Sequence, residues 1–316
     1  MATAIDPACG AARIAILMCT YNGRHFLEEQ LESIAQQRYR HWCLWVSDDG
    51  STDGTAELLA RYRATWGADK IHILKGPSCG SVANFMFLIR HPGITADLYA
   101  YADQDDVWLP HKLERAAAWF DSQPRSRPAL YGTRTELIDA QGHSLGLSPL
   151  FTRPPDFRNA LVQTMAGGNT MVINQLARHL LMQLPHDTLP SYHDWWTYMA
   201  ISAVGGGLHY DPRPSLRYRQ HGNNLNGENR SFRERMRRLA MLLRGDLRTN
   251  NTTNLRALRA LNANLPPEHK DVLCHYEMVR EGNLLQRLYA LAQSGIYRQS
   301  RTQQPALYLA AALRRL

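Results

Sequence analysis

The chain has 316 residues, 44% of them hydrophobic and 20% charged, with 36 Lys and Arg against 28 Asp and Glu for a net charge of +8. That length suits one large domain or two ordinary ones, and the composition is too apolar and too weakly charged for a disordered chain. No stretch approaches the ~20 apolar residues of a membrane-spanning helix, and residues 1–12 lack the basic start and apolar core of a signal peptide.

In chain order, short apolar runs alternate with helical patterns. Residues 14–19 (IAILMC), 42–46 (WCLWV), 71–74 and 98–101 read as strands. Between them, Leu27, Leu31, Ile34 and Ala35 share one helical face, and Ala56, Leu59 and Tyr62 share another. A third helix is expected over 82–89, with Ala83, Met86 and Phe87 inward. This alternation is the signature of a parallel sheet covered by helices, an α/β fold whose ligands bind at the carboxyl ends of the strands.

From residue 130 to 218 the pattern is looser. A Pro-rich loop (148–155) precedes a strand at 170–173, a helix from Asn174, a helix over 194–204, and strands at 208–210 and 216–218. Beyond Gly222 the strand signal ends and helices rich in Arg and Leu are expected. Five cysteines (Cys9, Cys19, Cys43, Cys79, Cys274) are scattered and form no CxxC pair. That argues against a disulfide framework and a thiolate zinc site, so a reduced, cytoplasmic protein is expected.

Three polar clusters sit where strands run out. These are Cys19-Thr20-Tyr21-Asn22-Gly23, Ser47-Asp48-Asp49-Gly50-Ser51-Thr52-Asp53-Gly54, and Ala102-Asp103-Gln104-Asp105-Asp106-Val107-Trp108. Turn and cap roles account for many of the first two clusters' residues. They do not account for the third, where three carboxylates within four residues repel one another and a cation is the usual reason to tolerate them. Neither acidic cluster completes a calcium loop. Ala60 stands where the first would need Glu, while Val107 and Trp108 stand where the second would need an oxygen ligand and a glycine. P-loop and Rossmann glycine motifs are missing as well.

In order and spacing these clusters resemble family-2 glycosyltransferases of the GT-A fold, and closely their bacterial rhamnosyltransferase-type members. The resemblance spans residues 13–227 and rests on TYNG, DDGSTDGT, YADQDDVWLPHKL (101–113), HDWW (193–196) and YRQHGNN (218–224). It implies that residues 1–229 form a GT-A catalytic domain and leaves 230–316 as a basic helical region.

The resemblance also implies roles for individual residues. Thr20, Tyr21 and Asn22 would bound the donor base, Asp49 would accept the N3–H of uracil or thymine, and Asp48 would hold its loop in shape. Asn84 would help to hold the donor. Asp103, Gln104 and Asp105 match the DxD motif. Asp105 or Asp106, joined by His221, would bind Mg2+ or Mn2+, with Asp103 on the donor ribose or sugar. Asp194 would be the base that deprotonates the acceptor in an inverting displacement. Trp108, Gly168, Asn169, His193, Trp195 and Trp196 would face the acceptor. The expected donor is a dTDP- or UDP-sugar, with dTDP-L-rhamnose first and a UDP-hexose or UDP-galactofuranose as alternatives. The expected acceptor is a glycan, lipid-linked in the synthesis of a surface polysaccharide such as O-antigen. Two rivals remain open, a nucleotidyltransferase of the same fold and a non-catalytic partner subunit.

Past residue 229 only physical reading remains. Residues 230–316 hold 16 Lys and Arg against 6 Asp and Glu, a net +10, which leaves −2 for residues 1–229. In 232–247, Met236, Leu239, Ala240 and Leu243 share a face opposite five arginines, and the chain ends in an apolar stretch followed by Arg314 and Arg315. Such helices either pack on the catalytic domain or meet the inner face of the cytoplasmic membrane. Nucleic acid is not an expected partner, because no recognised module or aromatic interleaving accompanies the charge.

Overall fold

The computed structural model describes residues 11–221, 245–300 and 303–316. The arginine-rich helix expected from residue 232, Asn223 and Asn224 of the YRQHGNN motif, and the boundary at 229/230 lie outside the described residues.

Four strands are laid down first: β1 (Ile14–Thr20), β2 (Trp42–Asp48), β3 (Ile71–Lys75) and β4 (Leu98–Ala102), each extending the expected strand by one or two residues. Helices α1 (Arg24–Ala35), α2 (Thr55–Trp66) and α3 (Ser81–Arg90) connect them. All four strands run parallel, β1 between β2 and β4 with β3 outside β2. Side chains alternate across the sheet, so Ala15 and Leu17 join one core while Ile14, Ile16 and Met18 join the core on the other face. Both faces are covered, which is why these strands read as unbroken apolar runs.

Two helical faces differ from the sequence expectation. Helix α2 buries Leu58, Leu59 and Tyr62 and exposes Ala56. Helix α3 buries Asn84, Phe85, Met86, Leu88 and Ile89, while Ala83 and Phe87 are half-buried. A simple one-sided stripe misplaces α3 because it is enclosed on more than one side.

The sheet grows to seven strands with β6 (Ala129–Thr133), β9 (Val172–Asn174) and β10 (Gly207–Asp211), in the order β10-β6-β9-β4-β1-β2-β3. Only β9 is antiparallel to its neighbours. It begins later than expected because residues 168–170 form a 3-10 turn, closed by the Thr170 hydroxyl donating to the Gly167 carbonyl at 2.8 Å. Of a second sheet only the strand at 216–218 was expected, since its other strands have only two to four residues and too little periodicity to read. It contains β5 (Val107–Trp108), β7 (Glu136–Ile138), β8 (Ser144–Leu147) and β11 (Leu216–Arg219), in the order β5-β11-β7-β8. It carries the end of the acidic loop and the strand leading to His221. Helices α4 (Lys112–Asp121), α5 (Phe157–Ala160), α6 (Gln175–Met182) and α7 (His193–Ala203) complete the fold up to Arg219.

Asp211, at the end of β10, is a buried electrostatic anchor. Burial raises its carboxyl, but hydrogen bonds from Arg213, Arg115 and Tyr131 outweigh that and hold it well below the usual carboxylate range. Because the folded value lies below the unfolded ~3.9, its contribution is full above that pH and is lost as pH falls towards the folded value. Asp211→Asn is therefore expected to lower stability at neutral pH and to flatten the loss of stability below about pH 5. Urea unfolding at a series of pH values checks this, and an unchanged acid profile would contradict it.

Downstream lie α8 (Asp246–Ala260), α9 (Pro267–Glu281), α10 (Leu284–Ser294) and α11 (Gln304–Ala312). Leu258, Leu261, Tyr276 and Val279 from this region share one core with Trp196, Tyr198 and Ala200 of α7. Polar ties reinforce the junction, with His269 Nδ1 2.7 Å from the Ala203 carbonyl and Asn159 Nδ2 donating to the Tyr297 carbonyl at 3.0 Å. The described C-terminal helices thus pack on the α/β part, which leaves their outward faces open to a second contact. No helix among the described residues is long and apolar enough to cross a membrane.

Candidate active site

The loops at the carboxyl ends of β1, β2 and β4 meet at one edge of the sheet. The Asp48 carboxylate organises the first two, accepting from Thr20 Oγ1 (2.8 Å), Ser51 Oγ (2.6 Å) and the Ser51 N–H (3.0 Å). Asn22 adopts a left-handed φ of +48°, which Asn tolerates better than most residues, and its Oδ1 accepts from the Thr52 N–H at 2.9 Å. Gln104 reaches back from the β4 loop to bracket Tyr21: its Oε1 accepts from the Tyr21 N–H (2.9 Å) and its Nε2 donates to the Tyr21 carbonyl (3.1 Å). The Tyr21 ring is 59% exposed, so the loop is fixed while its aromatic face stays open.

Asp49 lies beneath. Its two carboxylate oxygens accept from the N–H groups of Ser78 (2.7 Å) and Gly80 (2.8 Å), which leaves each oxygen further acceptor capacity. Gly76 closes this corner: a Cβ there would lie 2.8 Å from Asp49 Oδ1 and 2.9 Å from Asn84 Oδ1. Asn84 Nδ2 donates to the Ser47 carbonyl at 2.9 Å, while its buried Oδ1 finds no partner among the described residues.

The three acidic residues of the β4 loop diverge. Asp103 is pushed up to about 7 by burial and by the neighbouring charges of Asp105 and Asp194, with Lys112 opposing. Asp105 Oδ2 lies 2.7 Å from His221 Nε2, so residues 116 positions apart meet as the sequence suggested. Asp106 turns inward and is fully buried. Its Oδ2 accepts from Asn169 Nδ2 at 2.6 Å, and its Oδ1 takes a longer contact from the Arg219 N–H at 3.4 Å. Burial, Asp105 and Asp103 raise its carboxyl well above the usual range. As a metal ligand Asp106 is therefore corrected, because it is engaged within the protein. Among the described residues no three His, Cys, Asp or Glu side chains form a ready cation cage. Asp105 and His221 nonetheless supply an oxygen and a nitrogen donor side by side, a set that suits a hard divalent cation taking its other ligands from phosphate oxygens and water.

Helix α7 carries His193 and Asp194. Its N-cap position is Tyr192, so Asp194 stands in the first turn rather than capping, half-buried, with Oδ1 accepting from the Trp195 N–H at 2.7 Å. The His193 ring stacks on Phe85 (centroids 3.9 Å apart) and meets Tyr101 edge-on. A Cβ on Gly168 would lie 2.5 Å from His193 Nε2 and 3.1 Å from Asp194 Cβ, so this loop needs glycine where it passes under the helix. Burial lowers the His193 pKa, and Asp194 only partly offsets this. His193 is half-buried, and its Nε2 is buried with no hydrogen-bond partner among the described residues. The expected acceptor-facing tryptophans are likewise corrected. Trp108 and Trp196 lie in the core, and Trp195 is buried with Nε1 donating to the Ala160 carbonyl at 2.6 Å. Asn169 is buried too, and it bonds Asp106 rather than facing outward.

Two buried cations escaped the sequence reading although both lie within quoted motifs. Lys112 donates from Nζ to the Asn169 carbonyl at 2.7 Å and sits over the Trp108 ring at 4.6 Å. Arg219 pairs with Glu29, donates to the Asp105 carbonyl (3.0 Å) and the Ala140 carbonyl (3.1 Å), and lies over the Phe26 ring. The available signal was charge balance: three clustered carboxylates in an apolar setting require buried countercharge.

A family model described as glycosyl transferase family 2 matches residues 15–181, more than half of the chain. The chain is similar to dTDP-rhamnosyl transferase RfbG of Shigella flexneri, 26% identical over 241 residues, which cover 71% of this chain and 78% of that protein. In structure it is similar to TarS 1-349 of S. aureus in complex with UDP-GlcNAc, with a TM-score of 0.58 at 16% identity over 96% of this chain and 88% of that one. It is also similar to the mannosyltransferase PcManGT from Pyrobaculum calidifontis in complex with GDP-Man and Mn2+, with a TM-score of 0.51 at 19% identity over 97% and 88% of the two chains.

Proposed function

The chain belongs to glycosyl transferase family 2 and has the GT-A fold, and from that premise we propose that it transfers a sugar, with inversion, from a nucleotide-diphosphate donor to a glycan hydroxyl. One observation carries the reading: Asp49, the Asp105–His221 pair and Asp194 gather at the carboxyl edge of one sheet, close enough for Asp103 to respond to both Asp105 and Asp194.

In this proposal Tyr21 stacks on the donor base and Asp49 accepts the N3–H of thymine or uracil with its remaining lone pairs. Asp105 and His221 hold Mg2+ or Mn2+, which when bound neutralises charge on the departing diphosphate. Asp103 contacts the donor ribose or sugar. Asp194 takes the proton of the acceptor hydroxyl as its oxygen bonds to the anomeric carbon and the bond from that carbon to the diphosphate breaks. The donor is dTDP-L-rhamnose, a choice supported by the likeness to the Shigella flexneri rhamnosyl transferase. The acceptor is a lipid-linked surface glycan, met at the inner face of the cytoplasmic membrane.

Thermal shift against dTDP-rhamnose, UDP-glucose, UDP-galactofuranose, GDP-mannose and the triphosphates dTTP and UTP, with and without Mn2+, tests the reading. Stabilisation by dTDP-rhamnose that deepens with Mn2+ is expected. Stabilisation by nucleoside triphosphates alone, or by no nucleotide sugar, would overturn it.

A further inference from the structure

Helices α10 and α11 leave apolar side chains uncovered. Leu285 is 79% and Tyr289 63% exposed on α10, and Leu309 and Leu313 at the end of the chain are about half exposed. Two contacts place these residues together. Arg287 in the first turn of α10 donates to the Ala312 carbonyl at 2.9 Å, and Arg314 reaches the Gly282 carbonyl just before α10 at 3.4 Å. The start of α10 therefore meets the end of α11, and Gln304 at the start of α11 donates to the Ile296 carbonyl just past α10 at 3.0 Å, so the two helices run antiparallel and their outward apolar side chains share one surface. Spacing of i, i+4 keeps each pair on one side of its helix. Cations collect at the same corner: Arg314 and Arg315 are exposed, and Arg248 donates to the Arg314 carbonyl at 3.1 Å. Glu281 is an exposed carboxylate beside them.

We propose that the α10–α11 face, with Leu285, Tyr289, Leu309 and Leu313 as its apolar strip and Arg314 and Arg315 at its end, docks on an anionic phospholipid bilayer. Apolar side chains enter the interface while arginines meet lipid phosphates, a division of labour that neither feature achieves alone. The occupant follows from charge: a second copy would bring one exposed Arg314–Arg315 pair against another, whereas an anionic surface neutralises both. The inference rests on the reading of a lipid-linked acceptor and names the face that would meet its membrane.

The test is co-sedimentation of the full chain with equimolar phosphatidylglycerol–phosphatidylcholine vesicles and with pure phosphatidylcholine vesicles. Binding to the anionic vesicles only is expected. The double variant Leu285→Glu/Leu313→Glu should weaken it about tenfold or more, and Arg314→Gln/Arg315→Gln about fivefold per arginine, with the loss shrinking at high salt. All four positions are exposed, and an unchanged melting temperature confirms that each variant is folded. Unchanged vesicle binding in both variants, no binding by the wild type, or a dimer in sedimentation velocity that Leu285→Glu dissolves would each overturn the proposal. Donor thermal shift on the same proteins separates the two readings: a wild type that binds vesicles but no nucleotide sugar removes the proposed function and leaves the docking face standing.

Discussion

Asp194→Asn is expected to slow sugar transfer by about two to four powers of ten while leaving donor affinity within about twofold of wild type. Asn keeps the shape of the side chain and can still accept from the Trp195 N–H, now 2.7 Å from Asp194 Oδ1, so the first turn of α7 stays intact. What it loses is the ability to take a proton from the acceptor. The negative charge at the helix start goes too, at about 0.3–1 kcal/mol of stability, which is far too little to mimic a catalytic defect. The carboxylate of Asp194 also raises Asp103, so its removal relieves the donor side rather than straining it. Initial rates with saturating donor, alongside direct donor titration, separate the two effects. Turnover within a few-fold of wild type would remove Asp194 from the role of base.

Residues in the strand-end loops were legible because their chemistry is local. Asp48 sits among Thr20, Ser51 and the turn it ties, and a polar run after an apolar strand already marks that place. The meeting of Asp105 with His221 was legible for another reason, since two motifs 116 positions apart bound the same ligand in the resembling family. Direction was not legible. Asp105 and Asp106 are neighbours in sequence, yet one faces His221 and the other the Asn169 amide, because the short β5 strand that follows turns the second carboxylate inward. Trp195, Trp196 and Trp108 failed similarly. An aromatic beside a catalytic residue looks like a sugar platform, but α7 is buried on nearly every side and consumes its tryptophans as core. Apart from the strand at 216–218, the small β5-β11-β7-β8 sheet was invisible to periodicity, and with it the reason that Arg219 is buried.

Lys112→Met is expected to destabilise the protein by about 3–5 kcal/mol, the range for breaking a buried charge arrangement by removing one member. The side chain is almost wholly buried, and burial pushes its ammonium down to about 7 even though Asp106 and Asp103 pull it back up. Methionine fills the same channel over Trp108 with a flexible apolar stem, so little of the loss comes from a cavity. It comes from the Asn169 carbonyl, left without its 2.7 Å donor, and from Asp106, left without the positive charge that it acts on. If that account is right, neutralising the carboxylate as well should recover part of the stability. Asp106→Asn/Lys112→Met should then deviate from additivity by about 1 kcal/mol or more in a double-mutant cycle. Urea unfolding of the four proteins measures it, and strict additivity would show that Lys112 does not act through Asp106. A second effect follows from position: the Asn169 backbone that Lys112 anchors continues from Gly168, which lies tight against His193 and Asp194. Releasing that anchor in the Lys112→Met protein should lower transfer in the folded fraction beyond what the unfolding curve explains, because the acidic loop and the base would no longer be held at a fixed separation.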